Sequence, residues 1–598
     1  MIKLQNVIFP STENCSEEVL FFRREGRVRY TLADDYIPFD TNATLCFDTY
    51  FNGFSASKWY KYTKIDNVKL CLRLRGKFRI TLYYKEKQQS ILLSKIIKEF
   101  YADTEGEILD VTCMFDTENT QGMYAFGITA IMDDCKFYGG YYYTDIDEQQ
   151  VLNIGIAIGI CTFKREKYVY KNIKMLKDAF LENVDSELFD KLDVVISDNA
   201  KSLDKTTISS DKVHVFDNKN VGGAGGFTRG LIESINLSKK KNITHVLLMD
   251  DDVIIQPESI YRTYKLLSLL KEQYQDNYIG GAMLRTDKQW FQTESGGSWN
   301  SGRLVSHKSG LDLRLLDACL YNEVEEKCEF NAWWYCTIPM KFVREDNLPL
   351  PIFIRGDDVE YGLRNMKNLI LLNGICVWHE PFEFKYSSSM YYYIFRNRLI
   401  DNAIHSKPYT CKEFLSEFKN QFMREIHTLR YKNAWLLLEG ANDFLKGIDW
   451  LKAQDGEALN KEIMEKGYKL QYIEELNIPF SYPEYENTMR YCESKTHVII
   501  RKLSFEGFLL KAKKTQIVPV INPHIAYLYK VRAALNYDAA SQKGFETYRS
   551  RKEILKLKKE YKKLVKLTKT RYEKVRQEFA DRNNEITNLE FWNSYLEL

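Results

Sequence analysis

Two hydrophobic periods divide the chain. Up to about residue 150, apolar and polar positions alternate. Residues 69–75 alternate, Gly76 interrupts, and 77–84 alternate again, which is the pattern of a β-hairpin. Turn-like residues at 102–106 and at Asp133 and Asp134 separate further short strands. Residues 1–150 therefore predict a β-sandwich. The period then changes. Residues 152–161, 192–197, 212–216 and 244–249 are apolar runs without solvent-facing alternation, as in strands buried on both faces of a parallel sheet. Helical stretches follow the first and third runs. From about residue 387 apolar positions recur at three and four residues, as at Phe414, Phe418, Phe422 and Ile426, which predicts helices. Residues 480–545 are mixed. The expected architecture is α/β: a sandwich (1–150), a Rossmann-like domain (151–390) and a mainly helical region (391–598).

In the middle segment the apolar runs stop on polar residues. The 192–197 run ends on Asp198, and 212–216 leads through Asp217 to Asn220. The run at 244–249 ends on Asp250, Asp251 and Asp252. Ligands of open α/β sheets lie beyond the carboxyl ends of the strands, where all these residues fall. Three carboxylates there repel one another, and strand geometry sends Asp250 and Asp252 to one side and Asp251 to the other. Two oxygens facing one point suit Mg²⁺ or Mn²⁺, although an acidic turn would read the same way. Gly222, Gly223, Gly225 and Gly226 open a helix without spelling a dinucleotide or P-loop fingerprint. They fit either a tight turn or close approach of a phosphate to a helix N-terminus.

Further downstream, 292–299 predicts a polar hairpin. Trp333 and Trp334 lie side by side in a strand-like segment, so their rings point to opposite faces, one to the core and one free to stack on a sugar. Asp357 fits the N-cap of a helix, with Asp358 in its first turn. His379 ends an apolar strand and is available as a metal ligand.

The 598 residues suffice for three or four domains at roughly 150 each. A net charge of +3 gives no global field for nucleic acid. The twelve cysteines form no CxxC pair, so reduced thiols in a cytoplasmic protein are expected. Trp59, Tyr60, Tyr62 and Tyr141 to Tyr143 fit either a carbohydrate-binding face or the core of the sandwich. Near the C-terminus, Ile554, Leu557, Tyr561 and Leu564 make an apolar stripe among lysines. That pattern fits peripheral attachment to an anionic membrane, and equally a helix packed on its own domain or on a neighbouring subunit.

In this order, residues 162–165, Asp198, Asn220 with its glycines, Asp250 to Asp252, the 356–364 segment, Trp378 and His379 resemble family 2 GT-A glycosyltransferases. Among these the set is most similar to the mycobacterial-type polymerising galactofuranosyltransferases. The resemblance implies UDP-galactofuranose as donor, a glycan or glycolipid as acceptor, and a homo-oligomer. It implies donor contacts from Thr162, Phe163, Arg165, Asp198, Asn220, Gly222, Gly223 and Asp251. Asp250, Asp252 and His379 would hold Mn²⁺ or Mg²⁺, and Trp333, Trp334 and Glu294 would meet the acceptor. Asp358, the second acid of its pair with Asp357, would be the general base. Another donor (UDP-galactopyranose, UDP-glucose or dTDP-rhamnose) or an inactive carbohydrate-binding scaffold are the alternatives.

Overall fold

A computed structural model describes the whole chain except residues 33, 34, 116, 117, 119, 407, 408 and 509. The α/β architecture is the expected one, with a sandwich before the central domain and helices after it.

The sandwich consists of two five-stranded sheets. Strands Lys69–Arg75 and Lys77–Gln88 do not form the expected hairpin. The first pairs with Cys135–Thr144 and Leu109–Met114 in one sheet; the second pairs with Met123–Ala130 and Ile91–Asp103 in the other. Gly76 alone is too short a loop to fold the strands back on each other. With φ +105° and the Cys135 side chain 2.7 Å from where a Cβ would stand, it is instead the corner at which the chain changes sheets. Trp59, Tyr62, Tyr142 and Tyr143 are buried, and Trp59 and Tyr142 stack with Phe54. These four therefore belong to the core rather than to a sugar-binding face.

The sandwich is docked firmly on the central domain. Arg262, fully buried, donates to the carbonyls of Phe51 (2.6 Å) and Asn373 (3.2 Å) and pairs with Glu258 at 3.0 Å. Glu258 in turn accepts the backbone and side-chain amides of Asn6, both at 2.8 Å. One hydrophobic core runs through both domains.

The central sheet has ten strands. Val213–Asp217, Leu192–Asp198, Ile156–Thr162 and His245–Asp250 lie parallel, in that spatial order. Cys336–Pro339 follows antiparallel, then Tyr278–Arg285 antiparallel to it, with Leu369–His379 running parallel to Tyr278–Arg285. The two reversals return Leu369–His379 to the direction of His245–Asp250, so His379 ends at the same sheet edge as Asp250. The segment entering Cys336–Pro339 lies at that edge too, and it carries Trp333 and Trp334. Residues 292–299 are not a hairpin. Phe291–Glu294 pairs with Tyr278–Arg285, while Gly297–Asn300 pairs with Arg303–Ser306.

Helices Met390–His405, Cys411–His427, Tyr431–Phe444 and Arg551–Arg582 build a second core. The 480–545 region contributes strands Lys514–Pro519 and Val531–Asp538 to a small four-stranded sheet. The apolar stripe of the last long helix is used inside this core. Ile554, Leu557, Leu564, Tyr572, Val575 and Phe579 are buried, and Tyr561 stacks on Phe418 and Phe422. The expected membrane attachment through this stripe is therefore corrected, because a face already packed on its own domain cannot also insert in lipid. Among the described residues no helix is long and apolar enough to cross a membrane. All twelve cysteines are free.

Candidate active site

The carboxyl edge of the central sheet opens on a cleft of about 660 Å³. Asp250, Glu294, Trp333, Trp334, Asp357 and Asp358 all line it.

Asp250, which lines the cleft, presents its carboxylate with ligand atoms of Asp252 and His379, all within 4.8 Å of one another. His379 Nε2 lies 3.3 Å from Asp252 Oδ1 and 4.0 Å from Asp250 Oδ2. Its Nδ1 is 2.7 Å from the carbonyl of Glu380 and donates to it. That bond orients the ring so that Nε2 faces the carboxylates, as a metal-ligating imidazole requires. Two carboxylates and one imidazole fit Mn²⁺ or Mg²⁺. Asp252 also pairs with Arg165 and, at 2.8 Å, with Lys385. Burial by itself would raise the Asp252 pKa; the hydrogen bond to His379 and the charges of His379 and Lys385 outweigh it and hold the carboxyl well below the usual range. Asp251 is separate from this group and buried, and its burial pushes its pKa up to about 7.

The acid pair lines the same cleft. The helix Asp357–Asn365 is capped by Gly356, at φ +95°, and not by Asp357, which is its first residue. A left-handed entry needs glycine, so the cap expected at Asp357 is displaced by one position. Asp357 is buried and Asp358 half-buried. Burial raises both carboxyls above the usual range, and the Asp358 charge adds to the effect on Asp357. Asp358 Oδ1 accepts the Val359 amide at 2.9 Å, which orients it. Glu294 is also raised, by burial first, with the Asp358 charge adding.

The turn before the pair is strained: Phe353 and Arg355 have φ +72° and +67°. It is held from the helix Met390–His405. Asn397 Nδ2 lies 3.1, 2.8 and 2.8 Å from the carbonyls of Ile352, Ile354 and Arg355, and Arg396 Nη2 reaches Ile352 at 2.8 Å.

Trp333 and Trp334 occupy a turn instead of a strand, and both are buried. Trp333 packs edge-on against Phe227 and Tyr361; Trp334 donates Nε1 to the Gly281 carbonyl at 3.0 Å. They join different cores, as side-by-side residues facing opposite ways should, and both reach the cleft wall.

The remaining sequence-predicted residues lie around the ends of the first strands. Thr162 is buried in register with Asp198, and Phe163 is exposed. The Asp198 carboxylate accepts the amides of Ala200 (3.0 Å), Ser202 (2.7 Å) and Leu203 (2.8 Å), so its visible work is to hold that loop. Asn220 Oδ1 sits 3.4 Å from the Gly222 amide. The glycines divide by role. Gly222, Gly225 and Gly226 are packed against Phe353, Val221 and Cys161, each with under 2.2 Å to a built Cβ, while Gly223 opens on free space at the helix start.

Sequence patterns did not reveal Lys385, Arg355 or Asp401. Arg355 lies over the Phe382 ring at 4.5 Å. Asp401 is buried with Oδ1 unpartnered at the cleft, and burial raises its carboxyl well above the usual range.

Fold and site together define an α/β protein of GT-A type with an acid-lined cleft at the carboxyl edge of its sheet. Residues 4–145 match the model of the galactofuranosyltransferase 2 N-terminal family. The chain is similar to galactofuranosyltransferase GlfT2 of Mycolicibacterium smegmatis, 26% identical over 434 residues, covering 67% of this chain and 64% of that one. It is 24% identical to GlfT2 of Mycobacterium tuberculosis over 425 residues, 67% and 65% of the two chains. It is thus a GlfT2-like relative, and it spans somewhat under two thirds of the length of those proteins. A Pyrobaculum calidifontis mannosyltransferase solved with GDP-Man and Mn²⁺ aligns over 53% of this chain and 81% of its own, at 9% identity and a TM-score of 0.28, too low to carry an argument.

Proposed function

We propose that the chain is a cytoplasmic, metal-dependent inverting glycosyltransferase that moves galactofuranose from UDP-galactofuranose to a hydroxyl of a growing cell-surface glycan. The observation that carries this is the cleft itself: it is lined by Asp250, one member of a three-ligand cation site, and by a carboxylate outside that site, Asp358. Similarity to the two galactofuranosyltransferases supports the choice of sugar.

In the proposed reaction the acceptor sugar lies against Trp333, Trp334 and Glu294. Its hydroxyl gives a proton to Asp358 as the oxygen bonds to the anomeric carbon. The bond from that carbon to the diphosphate breaks on the opposite face, and the electron pair leaves with UDP. A single displacement inverts the configuration. A divalent cation at Asp250, Asp252 and His379 supplies charge neutralisation for the leaving diphosphate. Thr162, Phe163, Arg165, Asp198, Asn220 and the free amide of Gly223 take the nucleotide side, and the raised pKa of Asp358 suits a base working near neutrality.

The test is transfer from a panel of nucleotide sugars to a galactofuranose-bearing acceptor, with Mn²⁺ and with excess EDTA. Fastest turnover of UDP-galactofuranose, abolished by EDTA, is expected. Equal or faster use of UDP-glucose would remove the galactofuranose assignment, and full activity in EDTA would remove the metal.

A further inference from the structure

A second cavity, of about 630 Å³, lies in the C-terminal region and shares no residue with the catalytic cleft. Strands Lys514–Pro519 and Val531–Asp538 and helix Tyr482–Met489 contribute to it. Its rim carries four lysines, Lys511, Lys513, Lys514 and Lys530, and its lining contains no carboxylate. Among the described residues none of the four ammonium groups is in an ion pair. The acids nearby in sequence are engaged elsewhere: Glu493 pairs with His497 and Arg501, and Glu506 with Arg501. Four like charges around one concavity repel one another and concentrate anions there.

The lining also holds aromatic rings, and Lys530 Nζ lies 5.3 Å over the ring of Tyr529. Tyr491 meets Tyr527 edge-on at 6.0 Å, and His497 meets Tyr529 at 4.9 Å. The floor is polar: Gln516 donates to the buried Thr488 hydroxyl. Lysines bind phosphate as point charges, whereas tyrosine offers an apolar ring face with a polar tip. A simple anion would use the lysines only, and leave the rings without a partner. A sugar carrying a phosphate uses both.

We propose that this cavity is a binding site for a phosphate-bearing saccharide, with the phosphate among Lys511, Lys513, Lys514 and Lys530 and the sugar ring against Tyr491 and Tyr527. The site stands independently of the transferase activity. A free sugar phosphate and a lipid headgroup of phosphorylated sugar share this chemistry.

Calorimetric titration of the full chain with glucose 1-phosphate, with UDP and Mn²⁺ saturating the catalytic cleft, tests it. One saturable site is expected, weakened at least about tenfold in a Lys513→Gln/Lys514→Gln variant whose thermal unfolding is unchanged, since two of the four charges are gone. A Lys513→Glu/Lys514→Glu variant should bind more weakly still. Tyr527→Ala should erase the preference for glucose 1-phosphate over inorganic phosphate. Vesicles of phosphatidylinositol in phosphatidylcholine separate the two sources. Lysine-dependent binding to both ligands supports the site with a lipid as its source, and binding of glucose 1-phosphate alone supports it with a free sugar phosphate. No saturable binding, equal binding by the variants, or inorganic phosphate bound as tightly as glucose 1-phosphate overturns the proposal.

Discussion

Replacing Asn397 by alanine tests whether the acid pair is positioned from the helical region. The amide of Asn397 faces three carbonyls of the turn that leads into Asp357 and Asp358. Ile352 keeps a second donor in Arg396, so the variant strands two carbonyls, those of Ile354 and Arg355. Each buried carbonyl left without a donor costs about 1–3 kcal/mol. The cleft admits water to this turn, so the combined loss should be ~2–4 kcal/mol. The left-handed residues Phe353 and Arg355 store strain of about 1–3 kcal/mol each, which the lost bonds no longer outweigh. The turn should relax and carry Asp358 with it. A displacement of about 1 Å at a reacting group is worth a factor on the order of 10² in rate. Transfer should therefore fall about a hundredfold while UDP binding, proposed to rest on other residues, stays within about twofold. Steady-state transfer, UDP titration and hydrogen exchange of the 352–358 amides read the three parts separately. A variant with the parent rate and parent exchange protection would refute the positioning argument.

Other outcomes follow from the same geometry. Asp358→Asn should lower transfer by a factor on the order of 10²–10⁴ and remove the acidic limb of the pH–rate profile; since Asp357 does not cap its helix, Asp357→Asn gauges that buried acid directly, and a dead Asp357 variant beside an active Asp358 variant would exchange the two roles. Asp401 is held protonated by burial, so the native state keeps a proton that the unfolded chain releases above its ordinary pKa. Its carboxyl therefore costs stability progressively as pH rises above about 4. Asp401→Asn should raise the unfolding temperature at pH 7 and leave it unchanged near pH 3; no gain at pH 7 would count against this. Leu564→Ala, in the stripe of the last helix, should cost ~2–5 kcal/mol as a core truncation. Chemical denaturation measures it, and an effect below about 0.5 kcal/mol would mean that the stripe is not core.

Some of this protein is written in its local sequence. A strand buried on both faces must be apolar throughout, and polar residues can begin only where it leaves the sheet. The runs ending at Asp198 and Asp250 therefore announced an α/β sheet and the edge on which the candidate cleft opens. The period-two pattern of Asp250 and Asp252 put them on one side, where the structure joins them with His379. Other features depend on which surface meets which, and no local period encodes that. Lys69–Arg75 and Lys77–Gln88 alternate as hairpin strands do, yet Gly76 sends them to different sheets because the pairing partners come from residues 91–144. The stripe at Ile554, Leu557 and Leu564 has the same amphipathic form whether it faces lipid or protein; the aromatic rings of helix Cys411–His427 decide it. Which carbonyls Asn397 holds, and that Asp401 stands against Gly356, carry no local signal, because those neighbours stand some forty residues earlier in the chain. The strand ends determined where chemistry could occur, and long-range packing determined how the acids there are held.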